Sequence, residues 1–177
     1  NRLAEQHIAI AGPYRRFNES YIRFEDYDGM GVELVTDDND LRPGWPTGPV
    51  PAEYAIRGFH TVTLNEAKID RTVELLTGAM NHELIAEENG RFRFRAGNAG
   101  AGSYVDIQHS PNELRGAQGA GSVHHVAFAT SSDESQLAIR QQLIEAGYMP
   151  TEVLDRNYFH SIYFREPGGI LFEVATN

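Results

Sequence analysis

The chain has 177 residues, 41% of them hydrophobic, and a net charge of −10 from 25 acidic and 15 Lys/Arg side chains. That surplus of carboxylates argues against a nucleic-acid partner, because such binding relies on Lys and Arg neutralising phosphates. There is no cysteine, so disulfides and thiolate metal sites are excluded and any metal ion must be held by His, Asp, Glu or water.

In chain order, the first readable unit is 22–36, IRFEDYDGMGVELVT, and it recurs without a gap 140 positions later as 162–176, IYFREPGGILFEVAT. Ile22/Ile162, Phe24/Phe164, Gly29/Gly169, Glu33/Glu173 and Thr36/Thr176 match. Each copy reads as an alternating strand, a glycine-containing turn and a second strand. Residues 41–56 hold four prolines and read as a linker. Next, GFHTVTL at 58–64 opens a new unit as a strand. The stretch 66–79 follows with Ile69, Val73 and Leu76 on one helical face, and GSYVDI at 102–107 places Asp106 where the other copies have Glu33 and Glu173. A glycine-rich join at 116–121 leads to VHHVAF at 123–128, which lines up with the earlier strand when His60 is set against His124 and Thr61 against His125. The stretch 133–146 predicts a helix, with Asp133 as its cap, Gly147 at its end, and Leu137, Ile139, Leu143 and Ile144 at helical spacing.

The reading is an α+β fold of repeated βαβββ modules forming curved, mostly antiparallel sheets. It divides into a partial module at 1–40, a linker at 41–56, and full modules at 57–115 and 116–177. A half-unit at the front, and Asn1 in place of Met, lead to the expectation that an upstream unit was removed or lies on another chain. Sheet surface left unpaired by it favours a homo-oligomer or association with that N-terminal unit. No apolar run approaches the ~18 residues of a membrane span and no signal peptide is visible, so no membrane partner and a cytoplasmic location are expected.

A divalent metal needs several lone pairs converging on one point, and two histidines with a carboxylate are the usual set for nonheme iron. Glu173 sits in the otherwise apolar run ILFEVA, where a buried carboxylate calls for a cation or an arginine such as Arg165 or Arg156. His125 shares the expected face. His124, adjacent on the same strand, is expected to point the other way. Arg156, His160 and Tyr163 are candidates for orienting an anionic or phenolic oxygen, whereas His7, His82 and His109 stand alone and read as solvated. No P-loop, GxGxxG, GxSxG or HExxH motif occurs.

GSVHHVAF, LDRNYFHSIYFREPGGILFEVAT and GFHTVTL together resemble the vicinal oxygen chelate (glyoxalase/bleomycin resistance/extradiol dioxygenase) superfamily. Within it they are most similar to ring-cleaving dioxygenases of the hydroquinone type. That resemblance implies an O2-dependent dioxygenase acting on a hydroquinone or catechol-like aromatic at an Fe(II) site, with His125 and Glu173 as metal ligands; Mn, Zn, Ni and Co suit the same donors. It further implies His124 as acid/base, Arg156 stabilising developing oxyanion charge and Tyr163 donating a hydrogen bond. A second histidine ligand would lie in a first unit that these residues do not contain, leaving two of three protein ligands here. A glyoxalase-type isomerase using a second carboxylate such as Glu33, and a non-catalytic binding protein of the same fold, are the competing readings.

Overall fold

The computed structural model describes residues 2–97, 100–114 and 116–176. A single helical turn, α1 (Arg2–Glu5), precedes β1 (Ala11–Arg16), β2 (Glu19–Glu25) and β3 (Gly31–Thr36), which form a three-stranded antiparallel sheet. Two four-stranded sheets follow, each built as strand, helix and three strands. The first holds β4 (Thr61–Glu66), α2 (Asp70–Thr77), β5 (His82–Glu88), β6 (Arg91–Ala96) and β7 (Tyr104–His109), in the order β4-β7-β6-β5. The second holds β8 (Val126–Thr130), α3 (Asp133–Glu145), β9 (Leu154–Asp155), β10 (His160–Arg165) and β11 (Leu171–Thr176), in the order β8-β11-β10-β9. In both, the opening strand runs parallel to the last one and the remaining pairs are antiparallel.

The 140-residue repeat holds down to register. Ile22 faces Leu34 and Phe24 faces Val32 across β2–β3; Ile162 faces Val174 and Phe164 faces Phe172 across β10–β11. The turns also match. Asp26 and Glu166 each accept backbone N–H groups from the residues two and four positions on. Gly29 and Gly169 take φ of +85° and +97°, which a side chain would strain.

The two four-stranded sheets share one core. Leu64, Leu75, Leu76, Phe94, Val105 and Ile107 come from the first, and Leu143, Ile162, Phe164, Phe172 and Val174 from the second. Among the described residues, nothing before Val62 joins it. The three-stranded sheet instead meets its neighbour through charge. Arg93 pairs with Glu19, Phe17 N–H donates to Glu88, and the Arg93 guanidinium lies over the Phe17 ring. Between these sheets runs an irregular segment with one 3-10 turn at Ala52–Tyr54. It exposes Leu41, Trp45, Tyr54, Ile56 and Phe59. Trp45 N–H donates to Ile56 O at 3.3 Å, and its ring lies over Gly48, where an added Cβ would come within 2.7 Å.

Three local expectations are corrected. The first helix begins at Asp70, because β4 continues through Glu66. The cap of α3 is Ser132, whose side chain accepts from Ser135 N–H in a reciprocal pair; Asp133 contacts His160 Nδ1 at 2.7 Å instead. Its buried face is Gln136 and Leu143, while Leu137 and Ile144 point outward. Gln136 is admitted to the core because its amide donates to two strand carbonyls, His160 O at 2.8 Å and Val174 O at 2.9 Å.

Candidate functional site

Glu173 is the third residue of β11, a strand flanked by β8 and β10. Phe172 and Val174 on either side enter the core, so alternation turns Glu173 to the opposite face. There it is 3% exposed. Tyr163 lies directly across from it on β10, and Ser161 is the next residue on the same face. Tyr163 O–H donates to Glu173 Oε1 at 2.8 Å, and Ser161 Oγ–H donates to the same oxygen. The other oxygen, Oε2, meets His125 Nε2 at 2.7 Å. Neither arginine weighed as a partner does so: Arg165 donates to Gly169 O at 2.9 Å, and Arg156 lies over the Tyr163 ring at 5.2 Å.

His124 and His125 do not face opposite ways. β8 begins only at Val126, so strand alternation does not govern the pair. Their Nδ1 atoms are 2.9 Å apart and their rings meet edge to face. With His125 Nε2–H donating to Glu173, His125 Nδ1 is left to accept from His124 Nδ1–H. The structure thus gathers His124, His125, Arg156, Tyr163 and Glu173 into one cluster. His160 is left out, since it sits on the other face of β10 with Asp133. His82 is not solvated either. It is buried, holds Met80 O at 2.9 Å through Nδ1 and packs edge-on against Phe128, and burial lowers its pKa despite that bond. Only its long-range contacts reveal this, and no local pattern carried it.

The three equivalent carboxylates are neutralised differently. Glu33 pairs with Arg16. Asp106, fully buried, receives Arg93 at 2.7 and 2.9 Å and Arg91 at 3.2 Å. Glu173, among the described residues, has hydroxyls and an imidazole but no arginine. The arginine cluster continues through Glu19, which His60 Nε2 approaches at 3.0 Å. Burial alone would raise the Glu19 carboxyl, but hydrogen bonds from His60 and Arg93 bring it down to about 2. No local pattern pointed to this network, because it crosses between sheets far apart in the chain.

The donor set at Glu173 fits a divalent ion. One imidazole nitrogen and one carboxylate oxygen converge, and the carboxylate's other partners are two hydroxyls rather than a guanidinium. No group of three or more His, Cys, Asp or Glu side chains placed to hold a metal occurs among the described residues, so this cluster supplies two ligands.

The family model for the "Glyoxalase/Bleomycin resistance protein/Dioxygenase superfamily" matches residues 58–174. The chain is 40% identical over 162 residues to "Putative ring-cleaving dioxygenase MhqO" of Bacillus subtilis, covering 92% of this chain and 51% of that protein. It is 33% identical over 182 aligned positions to "Chlorohydroquinone/hydroquinone 1,2-dioxygenase" of Sphingobium indicum, covering 98% and 56%. A crystal structure of a "putative dioxygenase" from Bacillus subtilis superposes with a TM-score of 0.90 at 38% identity, over 99% of this chain and 56% of that one. The chain spans about half the length of the curated relatives it matches.

Proposed function

The chain belongs to the Glyoxalase/Bleomycin resistance protein/Dioxygenase superfamily, and on that premise we propose that it carries most of the site of an Fe(II)-dependent, extradiol-type ring-cleaving dioxygenase. The substrate class is a hydroquinone or catechol-like aromatic, with O2 as co-substrate. The observation that carries the reading is the exception among the three strand-end carboxylates: Glu173 alone is held by neutral donors and an imidazole. A buried carboxylate left with its charge is a site for a cation. The named relatives supply the reaction class.

In this reading His125 Nε2 and Glu173 Oε2 hold the ion, and a third protein ligand comes from outside this cluster. A bound Fe(II) would supply open positions for a substrate oxygen and O2. The remaining work belongs to the chain's own side chains. Tyr163 fixes the carboxylate. With Nε2 given to the ion, His125 carries its proton on Nδ1 and donates it to His124 Nδ1, so His124 exchanges a proton with a substrate hydroxyl through Nε2. The Arg156 guanidinium, stacked over Tyr163, places positive charge where a phenolate oxygen gathers density. The partner is a further segment or copy of chain that completes the site, in the cytoplasm; no helix among the described residues is long and apolar enough to cross a membrane. The glyoxalase-type alternative needs a free second carboxylate, and both candidates, Glu33 and Asp106, are held by arginine.

The test is metal content and oxygen uptake in the protein bearing His125→Ala or Glu173→Ala. Both variants are expected to lose iron and hydroquinone-dependent oxygen uptake. Iron content equal to wild type in both would defeat the assignment.

A further inference from the structure

β10 carries two side chains toward Glu173, and only one of them, Tyr163, stands out in the sequence. The other is Ser161, with no exposed surface, whose hydroxyl donates to the carboxyl oxygen that Tyr163 also reaches. The same two places exist in each sheet. Opposite Asp106 stands Arg93, with Arg91 two residues before it; opposite Glu33 stands Arg23, with Tyr21 two residues before it. Where the pair is Arg91 and Arg93, both guanidiniums reach the carboxylate and cancel its charge. Where it is Ser161 and Tyr163, two neutral O–H groups hold one oxygen in place and cancel nothing.

We propose that Ser161 is a positioning residue of the metal centre. Together with Tyr163 it occupies Glu173 Oε1, so that Oε2 alone is presented toward His125 and the carboxylate binds an ion through one oxygen. This rests on the metal reading above and adds to it a residue that touches neither ion nor substrate. The physical reason is that a carboxyl group turns easily about its terminal torsion, which is broad and two-fold. One hydroxyl donor leaves that rotation soft; two donors on the same oxygen, from neighbouring positions on a rigid strand, remove it. Loss of such an orienting partner costs about 10–100-fold in metal affinity.

Co(II) titration of this chain, read by calorimetry and by the visible bands of the bound ion, tests the proposal. Thermal melts on each variant establish that it is folded. Wild-type binding should require His125 and Glu173. Ser161→Ala should weaken it by about 10–100-fold and alter the Co(II) spectrum, and Ser161→Thr, which keeps the hydroxyl, should restore both. A crystal structure of the alanine variant should show the Glu173 carboxyl turned. If Ser161→Ala binds Co(II) like wild type, with the carboxyl unmoved, the positioning role is wrong while the metal reading stands. If Glu173→Ala binds as wild type does, the metal reading fails and this role with it.

Discussion

Glu66 and Glu166 meet across the two four-stranded sheets with Thr72 between them, its hydroxyl 2.7 Å from a carboxyl oxygen of each. One hydroxyl has one proton to give, so one contact must use a proton from a carboxyl group. Both Glu166 oxygens already accept a backbone N–H, whereas Glu66 Oε1 has no partner. Glu66 is therefore the acid. Burial, aided by the charge of Glu166 and opposed by the Thr72 bond, pushes it from 4.5 up to about 7. The folded state holds this proton more tightly than the unfolded one, so its stabilisation is complete below about 4.5 and is lost as pH rises through about 7. Glu66→Gln should raise Tm at pH 8 by about 2–4 °C, the shift expected for about 1 kcal/mol in a chain of this size, and give no gain at pH 4.5. Removing a charge from the arginine cluster should act the other way. Arg93→Met leaves Asp106 with Arg91 alone, removes the guanidinium bridging it to Glu19, and should cost about 3–5 kcal/mol in urea denaturation. At this scale, Glu173 was legible because a lone acid in an apolar run demands a partner. Glu66, Thr72 and His82 were not, because what matters about them lies up to 94 positions away in the chain or in another sheet.

The repeated hairpins allow an internal comparison of elements. Phe24 and Phe164 occupy one register position, yet Phe164 is 3% exposed while Phe24 is only half-buried. The difference is what covers them: β10 and β11 lie under α3 and the shared core, while no helix packs on β2 and β3 among the described residues. Phe164→Ala should cost about 3–5 kcal/mol, and Phe24→Ala under about 1 kcal/mol, in the same urea titration. Comparable losses would mean that the first sheet is covered in solution. Strands and turns were readable from alternation and glycine placement. The inward face of α3 was not, since helical periodicity cannot favour Gln136 over Leu137 unless the strand carbonyls awaiting an amide are known.

Across the whole molecule the first sheet is docked inside out. Its charged face, with Arg16, Glu19 and Glu33, meets the network around Arg93, while Ile22, Phe24, Val32 and Leu34 on the other face stay partly open. An apolar sheet surface of this kind promotes association. Light scattering on a sizing column should find oligomers at micromolar concentration, and Phe24→Glu with Leu34→Glu should shift them to monomer. The repeat made such a surface foreseeable, but the polar docking of the other face appears only in three dimensions. The irregular segment between the sheets adds an optical consequence. Trp45 is the chain's single tryptophan and is 61% exposed there. Indole emission will follow the loosening of that segment and stay nearly blind to the core, whereas far-ultraviolet ellipticity follows the strands. A melt recorded both ways on one sample will therefore separate detachment of the connecting segment from collapse of the fold.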